Sequence, residues 1–284
     1  MIPFDYLALR LIRRMAPRFL VQGAMRLRLG IVSGTETRLP EEAAQRYVDA
    51  LASARRTLEG ATVLVFGYGG SFGLPVALLR RGARHVVLCD PYAVPDRPAN
   101  RALAAQAAPY LRLLNGEAVP DPNWITLVEQ DVRQYAASGR QAADLVLSSS
   151  VYEHLEDPEA VTADLAQVTA DSGYHLHFID LRDHFFKYPF EMLCHSEAAW
   201  RRFLNPTSHL NRCRVGQYEA IFRRHFAEVR WEALSRDPQA FGRAKARIHP
   251  EFLTGDDNLD AVTRIVVHAG MPRQPGACKE RSVS

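Results

Sequence analysis

Residues 61–82, ATVLVFGYGGSFGLPVALLRRG, decide the fold. An apolar, β-branched run (61–66) ends in Gly67-Tyr68-Gly69-Gly70, and helical periodicity then runs to a stop at Gly82. Strand, glycine turn and helix in that order open a βαβ unit. The alternation continues outward. HVVLCD (85–90), WITLVEQD (124–131), ADLVLSSS (143–150) and GYHLHFIDL (173–181) read as strands. RPANRALAAQAAPYLRLLNG (97–116) and DPEAVTADLAQVTAD (157–171) read as helices between them. FAEVRWEALSR (226–236) and AVTRIVVHA (261–269) add a closing pair of strands after the helix RVGQYEAIFRRHF (214–226). The prediction is an α/β, doubly wound sheet of seven strands, mainly parallel, with helices on both faces.

Residues 60–270 make the predicted domain, preceded by a helical segment (1–59) and followed by a tail (271–284). In the opening segment Phe4, Leu7, Leu11, Met15 and Phe19 fall at helical spacing. Arg10, Arg13, Arg14, Arg18, Arg26 and Arg28 stand against the single acid Asp5. Such a basic helix either touches an anionic membrane surface or a partner, or packs on the domain with its arginines in water. Pro17 is expected to kink or end it. A second helix is predicted over 40–59, with Pro40 in its first turn.

With 284 residues, 47% hydrophobic and 24% charged, a sizeable core forms, and a disordered or fibrous chain is excluded. The four cysteines lack CxxC spacing, which excludes a disulfide scaffold and a paired-cysteine zinc site and suits a reducing, cytoplasmic compartment. A net charge of +3 is too small to argue for nucleic acid. No apolar run reaches the ~20 residues that span a bilayer.

Glycines let the backbone of 67–70 turn sharply and approach a ligand, whose polar groups would meet the N-terminus of the following helix. Asp90 ends the second strand, where an acid accepts hydrogen bonds from ribose hydroxyls. Asp131-Val132 follows the third strand, where an acid meets an adenine amino group and a backbone N–H meets a ring nitrogen. Ser149 ends the fourth. His154 and the string His177-Phe178-Ile179-Asp180-Leu181-Arg182-Asp183-His184-Phe185 lie at the same edge. A histidine there suits removal of a hydroxyl proton at neutral pH, and Asp183 beside His184 reads as an oriented base. Asp180, Arg182, Asn211 and Arg212 are the candidate substrate-binding residues, because their side chains suit a carboxylate, a phosphate or sugar hydroxyls. Arg214 either joins them or faces solvent. Asp180, Asp183 and Glu153 match no specific magnesium spacing, and no metal is expected.

The run Ser148-Ser149-Ser150-Val151-Tyr152-Glu153-His154-Leu155-Glu156-Asp157-Pro158 fits S-x-x-[VL]-x-E-H-[LV]-x-D-P. Here the chain resembles the small-molecule (type 11-like) branch of the class I S-adenosylmethionine-dependent methyltransferases, well over residues 60–182. The resemblance implies a Rossmann-like sheet whose last strand is antiparallel. It also implies S-adenosylmethionine held by Gly67, Tyr68, Gly69, Gly70, Asp90, Asp131, Val132 and Ser149. The expected activity is methyl transfer to a small-molecule acceptor, an oxygen of a glycan precursor or natural product, with residues 1–59 and 182–225 capping the pocket. Two positions depart from the family pattern. Val65 stands where an acid is usual, and Ser71 where the third glycine is usual. A nicotinamide-linked oxidoreductase is the alternative enzyme, although the turn is not G-x-G-x-x-G. A methyltransferase-like subunit that binds a partner without turnover is the alternative outside enzymes.

Overall fold

A computed structural model describes residues 4–15, 38–138, 143–185, 187–205 and 209–273. The strands are β1 (Thr62–Phe66), β2 (His85–Cys89), β3 (Leu111–Leu114), β4 (Glu117–Pro120), β5 (Ile125–Val128), β6 (Ala143–Ser149), β7 (Thr169–Asp180), β8 (Phe226–Arg236) and β9 (Val262–Pro272). Seven of them form one sheet in the order β5-β2-β1-β6-β7-β9-β8. β5, β2, β1, β6 and β7 pair in parallel, whereas β9 runs antiparallel to both β7 and β8. The predicted antiparallel last strand is therefore present, inserted between β7 and β8.

Alternation along each strand sends side chains to both faces. Val63, Val65, Val86 and Leu88 pack on one side with Tyr47 and Leu51 of α2 (Pro40–Ser53) and Leu74 and Leu78 of α3 (Gly73–Arg80). Leu64, Phe66, Val87 and Val146 pack on the other with Leu165 of α6 (Pro158–Gln167) and Tyr218 and Phe222 of α7 (Val215–His225). Strands buried on both faces read as continuous apolar runs, which is why they were visible in the sequence. Asp157 accepts a hydrogen bond from the Ala160 N–H at 3.0 Å and starts α6 as a side-chain cap.

The stretch 97–116 corrects the prediction. Only α4 (Arg97–Ala104) is helical, and β3 and β4 form a separate antiparallel hairpin. Asn115 and Gly116 both have positive φ, 51° and 77°. Asn-Gly between two extended runs is a hairpin turn, and this local signal outweighs the alanine-rich helix propensity before it. The helix predicted over 40–59 ends at Ser53.

α1 (Phe4–Met15) packs on the domain. Its buried face carries Tyr6 and Arg10, Leu7 packs against the core, and Leu11 of the predicted apolar stripe is exposed. Arg10 is fully buried and pairs with Asp183, which corrects the expectation of a solvated arginine. Asp5 accepts from Lys187 Nζ at 2.8 Å and from Tyr188 Oη at 2.7 Å. Those hydrogen bonds pull its carboxyl down to about 2. Pro17, Arg18, Phe19, Arg26 and Arg28, and most of the predicted tail, lie outside the described residues. Among the described residues no helix is long and apolar enough to cross a membrane.

A buried histidine chain runs through β7. Ser148 Oγ meets His177 Nδ1 at 2.7 Å, His177 Nε2 meets His175 Nδ1 at 3.1 Å, and His175 Nε2 meets Thr169 Oγ1 at 2.7 Å. Burial drives His175 down to about 3 and His177 well below its ordinary value. His268, bonded to Tyr174 Oη at 3.0 Å, falls to about 4, chiefly by burial. Unfolded imidazoles take up protons near pH 6.5, and these folded ones do so only far lower. The unfolded state then binds the extra protons, so stability is complete above about pH 6.5 and falls as pH drops. Each histidine adds up to ~1.4 kcal/mol per pH unit below that point. Urea midpoints measured from pH 7.5 to 5 should fall steadily, and a flat profile would refute the neutral chain.

Candidate active site

The glycine turn follows β1 at the C-terminal edge of the parallel strands, where open α/β sheets bind ligands. Gly67 has φ +80°, and a Cβ there would lie 2.3 Å from Val151 Cγ2. Gly70 has φ +84°, and a Cβ would lie 2.0 Å from the Val94 carbonyl oxygen. Any side chain at 67 would collide with the loop after β6, and any at 70 with the loop after β2. Asn100, buried on α4, locks the turn. Its Oδ1 accepts from the Phe72 N–H at 2.9 Å, and its Nδ2 donates to the Gly70 carbonyl at 2.9 Å. Ser71 Oγ, at the position of the family's third glycine, accepts from the Gly73 N–H at 3.2 Å. No sequence signal singled out Asn100.

Asp90 follows β2 beside this turn and accepts from the Gly69 N–H at 3.1 Å and the Tyr92 N–H at 3.0 Å. Tyr68 is half-buried and stacks on Phe72, with ring centroids 6.4 Å apart. Burial, then the Asp90 and Glu129 carboxylates, push its hydroxyl up to about 12. Cys89 is pushed up to about 12 by burial and by Asp90 and Asp131. Asp90, Glu129 and Asp131 thus form an acidic rim beside the turn, suited to hydroxyl and amino donors. Asp131 caps α5 (Val132–Ala137) through the Arg133 N–H at 2.8 Å, and Val132 is the first helical residue. Ser149 Oγ accepts from Arg46 of α2 at 3.1 Å, and the Arg46 guanidinium lies 4.1 Å over the Phe178 ring.

The loops after β6 and β7 supply the second half of the site. Tyr152–His154 is a single 3₁₀ turn. Asn211 straps it: Nδ2 donates to the Tyr152 carbonyl at 2.7 Å and the Leu155 carbonyl at 3.0 Å, and its N–H donates to the Glu153 carbonyl at 2.9 Å. Its Oδ1 accepts from Tyr218 Oη at 3.0 Å and the Cys213 N–H at 3.2 Å. His154 Nδ1 donates to the His209 carbonyl at 2.8 Å, which leaves the neutral ring's lone pair on Nε2. His184 lies against it, ring centroids 4.9 Å apart. One ligating atom each from Glu153, His154 and His184 lies within 4.8 Å of the others. Glu153 is 2% exposed, and neither carboxylate oxygen has a hydrogen-bond partner. Burial, with the Asp180 charge adding, pushes it up to about 8, against the weaker pull of the nearby Glu153 and Asp180 N–H groups and the Ser150 hydroxyl.

Several expectations are corrected here. Asp183 does not orient His184. It is fully buried and turned to α1, accepting from Tyr6 Oη at 2.6 Å, from the Phe185 N–H at 2.9 Å and from Arg10. The acid beside His184 is Glu153. Asp180 and Arg182 hold each other, with Arg182 Nε 2.9 Å from Oδ1 and Nη2 2.6 Å from Oδ2. Asn211 spends its amide on the 3₁₀ turn, on Tyr218 and on the Cys213 N–H. Arg212 donates to the Met192 and His195 carbonyls at 3.2 and 2.5 Å and pairs with Glu197. Arg214 is buried, so it does not face solvent, and it donates to the Leu181, Asp260 and Val262 carbonyls. Burial lowers it to about 10. The Asp180–Asp183–Glu153 metal cluster is not assembled, because Arg182 and Arg10 take its two aspartates.

A groove of about 390 Å³ opens near the start of β7 and is lined by Arg56, Tyr174, Glu228, Arg230 and His268. It lies towards the opposite end of the parallel strands, away from the glycine turn.

Residues 64–177 match the family model described as a methyltransferase domain. No curated protein matches the chain. Among solved structures, magnesium protoporphyrin IX methyltransferase from Synechocystis with bound SAH is similar at 16% identity. The likeness covers 89% of this chain and 100% of that one, with a TM-score of 0.49. The 1,6-didemethyltoxoflavin-N1-methyltransferase of Burkholderia thailandensis is similar at 13% identity, covering 96% of this chain and 92% of that one, with a TM-score of 0.49.

Proposed function

We infer that this chain, whose residues 64–177 are a class I methyltransferase domain, transfers a methyl group from S-adenosylmethionine to a small-molecule acceptor in a reducing, cytoplasmic setting. The acceptor atom in this reading is an oxygen of a glycan precursor or natural product. The observation that carries it is the joint between the glycine turn and Asp90: a turn with no side chain at Gly67, Gly69 or Gly70 stands beside a carboxylate able to take two ribose hydroxyls. The sheet supports it over a nicotinamide enzyme, because an antiparallel β9 inside the order β5-β2-β1-β6-β7-β9-β8 departs from the parallel six-stranded dinucleotide fold.

When bound, S-adenosylmethionine supplies a methyl group on a sulfonium, displaced directly to leave a neutral thioether. Gly67, Tyr68, Gly69 and Gly70 would seat its amino-acid and ribose parts, and Asp90 would hold the ribose. Asp131, with one oxygen on its capping bond, would use the other for the adenine amino group, beside the Val132 N–H. Val65 leaves the amino-acid end without the usual acid, and Ser149, bonded to Arg46 at the end of β6, would offer a polar group there. Positioning supplies most of the acceleration in such a displacement. An oxygen acceptor also has to lose a proton, and the cluster of His154, His184 and Glu153 at the mouth of β6 and β7 is where it would be lost.

Calorimetric titration with S-adenosylhomocysteine tests the reading. Asp90→Ala should weaken binding by about 2–3 kcal/mol, since each lost charge-assisted bond is worth roughly 1.5–3 kcal/mol. Asp90→Asn should lose less, because its amide still accepts. Wild-type-like affinity in a folded Asp90→Ala protein would remove Asp90 from the cofactor site.

A further inference from the structure

We propose that Glu153, His154 and His184 bind one divalent first-row transition ion of the zinc class at the acceptor end of the cleft. A buried carboxylate with no hydrogen-bond partner is costly, and proteins pair such a group or give it a cation. Glu153 is 2% exposed, neither of its oxygens has a hydrogen bond of normal geometry, its nearest donors being the Glu153 and Asp180 N–H groups and the Ser150 hydroxyl, and two imidazoles lie beside it. Two imidazoles and one carboxylate are the donor set of zinc and its neighbours, and an all-oxygen set would instead suit magnesium or calcium.

The surroundings fit a metal centre in two further ways. His154 directs Nδ1–H to the His209 carbonyl at 2.8 Å, the outer bond that fixes a ligating imidazole and turns its lone pair to Nε2. The turn carrying Glu153 and His154 is held at both ends by Asn211 and again by Tyr218 Oη on the Tyr152 carbonyl at 3.2 Å. The three ligating atoms lie within 4.8 Å of one another. A single ion with bonds of about 2.0–2.2 Å draws such atoms to roughly 3–4 Å, a closure that falls to a shift of the partly exposed His184, because His154 and the turn carrying Glu153 are held in place. Three protein ligands leave a coordination position open, as catalytic sites do.

The ion's use rests on the proposed methyl transfer, whereas its binding does not. An acceptor hydroxyl in the open position would ionise near neutral pH, its proton passing to solvent. The oxygen would then form its bond to the methyl carbon as the carbon–sulfur bond breaks and the electron pair stays on sulfur.

The full chain, stripped with a chelator and dialysed, is titrated with Co²⁺ and followed in the visible region, and with Zn²⁺ by calorimetry. One equivalent should bind, with a visible d–d band and no thiolate charge-transfer band in the near ultraviolet. His154→Ala and His184→Ala should each weaken binding by more than the ~10–100-fold typical of losing an outer-sphere partner. Glu153→Gln, which keeps size and burial, should also weaken it, and its circular dichroism shows whether the fold survives. Glu228→Gln, in the groove towards the opposite end of the parallel strands, should leave affinity unchanged. No saturable binding, thiolate absorption from a cysteine site, or affinity indifferent to both histidine variants would overturn the proposal. S-adenosylhomocysteine titration on the same stripped sample separates the two readings. Cofactor binding without metal binding defeats only this proposal, and metal binding without cofactor binding defeats only the methyltransferase reading.

Discussion

Arg10→Met is expected to cost the fold about 3–5 kcal/mol, the range for removing one partner of a buried ion pair. Arg10 and Asp183 are both fully buried, and the guanidinium is walled by the rings of Phe185 and Trp200 at 4.8 and 5.0 Å. Met keeps most of the stem volume, so the loss is chiefly the stranded carboxylate. Burial already pushes Asp183 up, and Arg10 is the charge that pulls it back. Without Arg10 the folded carboxyl titrates still further above its unfolded value. The folded state then binds the extra proton, so the variant should regain stability as pH falls from neutral. Asp183→Asn on the same background should recover part of the loss, because no charge is left stranded and the amide oxygen still accepts from one of the two donors, Tyr6 or Phe185. Thermal and urea unfolding of both single variants and the double variant measure the coupling. Additive losses would show that the pair is not an energetic unit.

The sheet was legible because its signals are local and repeated. Doubly buried strands leave apolar runs, and the turns between them leave glycine, aspartate and proline, as at Asp157-Pro158. The hairpin of β3 and β4 was also written in the sequence, at Asn115-Gly116, and was overruled by the alanines before it. The cofactor half of the site was legible for the same reason, since a glycine turn and Asp90 sit within one βαβ unit. The acceptor half was not. Which neighbour Asp183 chooses depends on Arg10, 173 positions away, and which groups Asn211 grips depends on a turn 56 to 59 positions away. Adjacent residues in an extended chain point in opposite directions, so Asp183 beside His184 in sequence argued against their meeting in space. Glu153-His154 after a strand end was a usable clue, and it lacked only the partner from the loop after β7.

His184→Ala should lower kcat for transfer to an oxygen acceptor by about 10²–10⁴-fold, the range for losing a group that handles a proton in the transition state. An alkyl hydroxyl is almost wholly protonated at neutral pH, and the arriving methyl cannot be shared with that proton. Affinity for S-adenosylhomocysteine should change little, because His184 lies beyond the end of β7, with Glu153 and His154, and Asp90 stands beyond β2 on the far side of β1. His154→Ala should behave like His184→Ala rather than as a cofactor-loop variant, since the two rings lie 4.9 Å apart in one cluster. Asp183→Asn should leave the chemical step far less affected, because Asp183 anchors α1 and does not touch His184's proton. Single-turnover rates with saturating cofactor read the step directly, and the same rates after chelation read how it is achieved. Loss of rate on chelation, restored by Zn²⁺, assigns proton removal to a bound ion. An unchanged rate leaves the imidazole itself as the base. A neutral amine acceptor brings its own lone pair and needs neither device, so His184→Ala would then keep its wild-type rate. That outcome, with a folded variant and intact cofactor binding, would move the acceptor from oxygen to nitrogen.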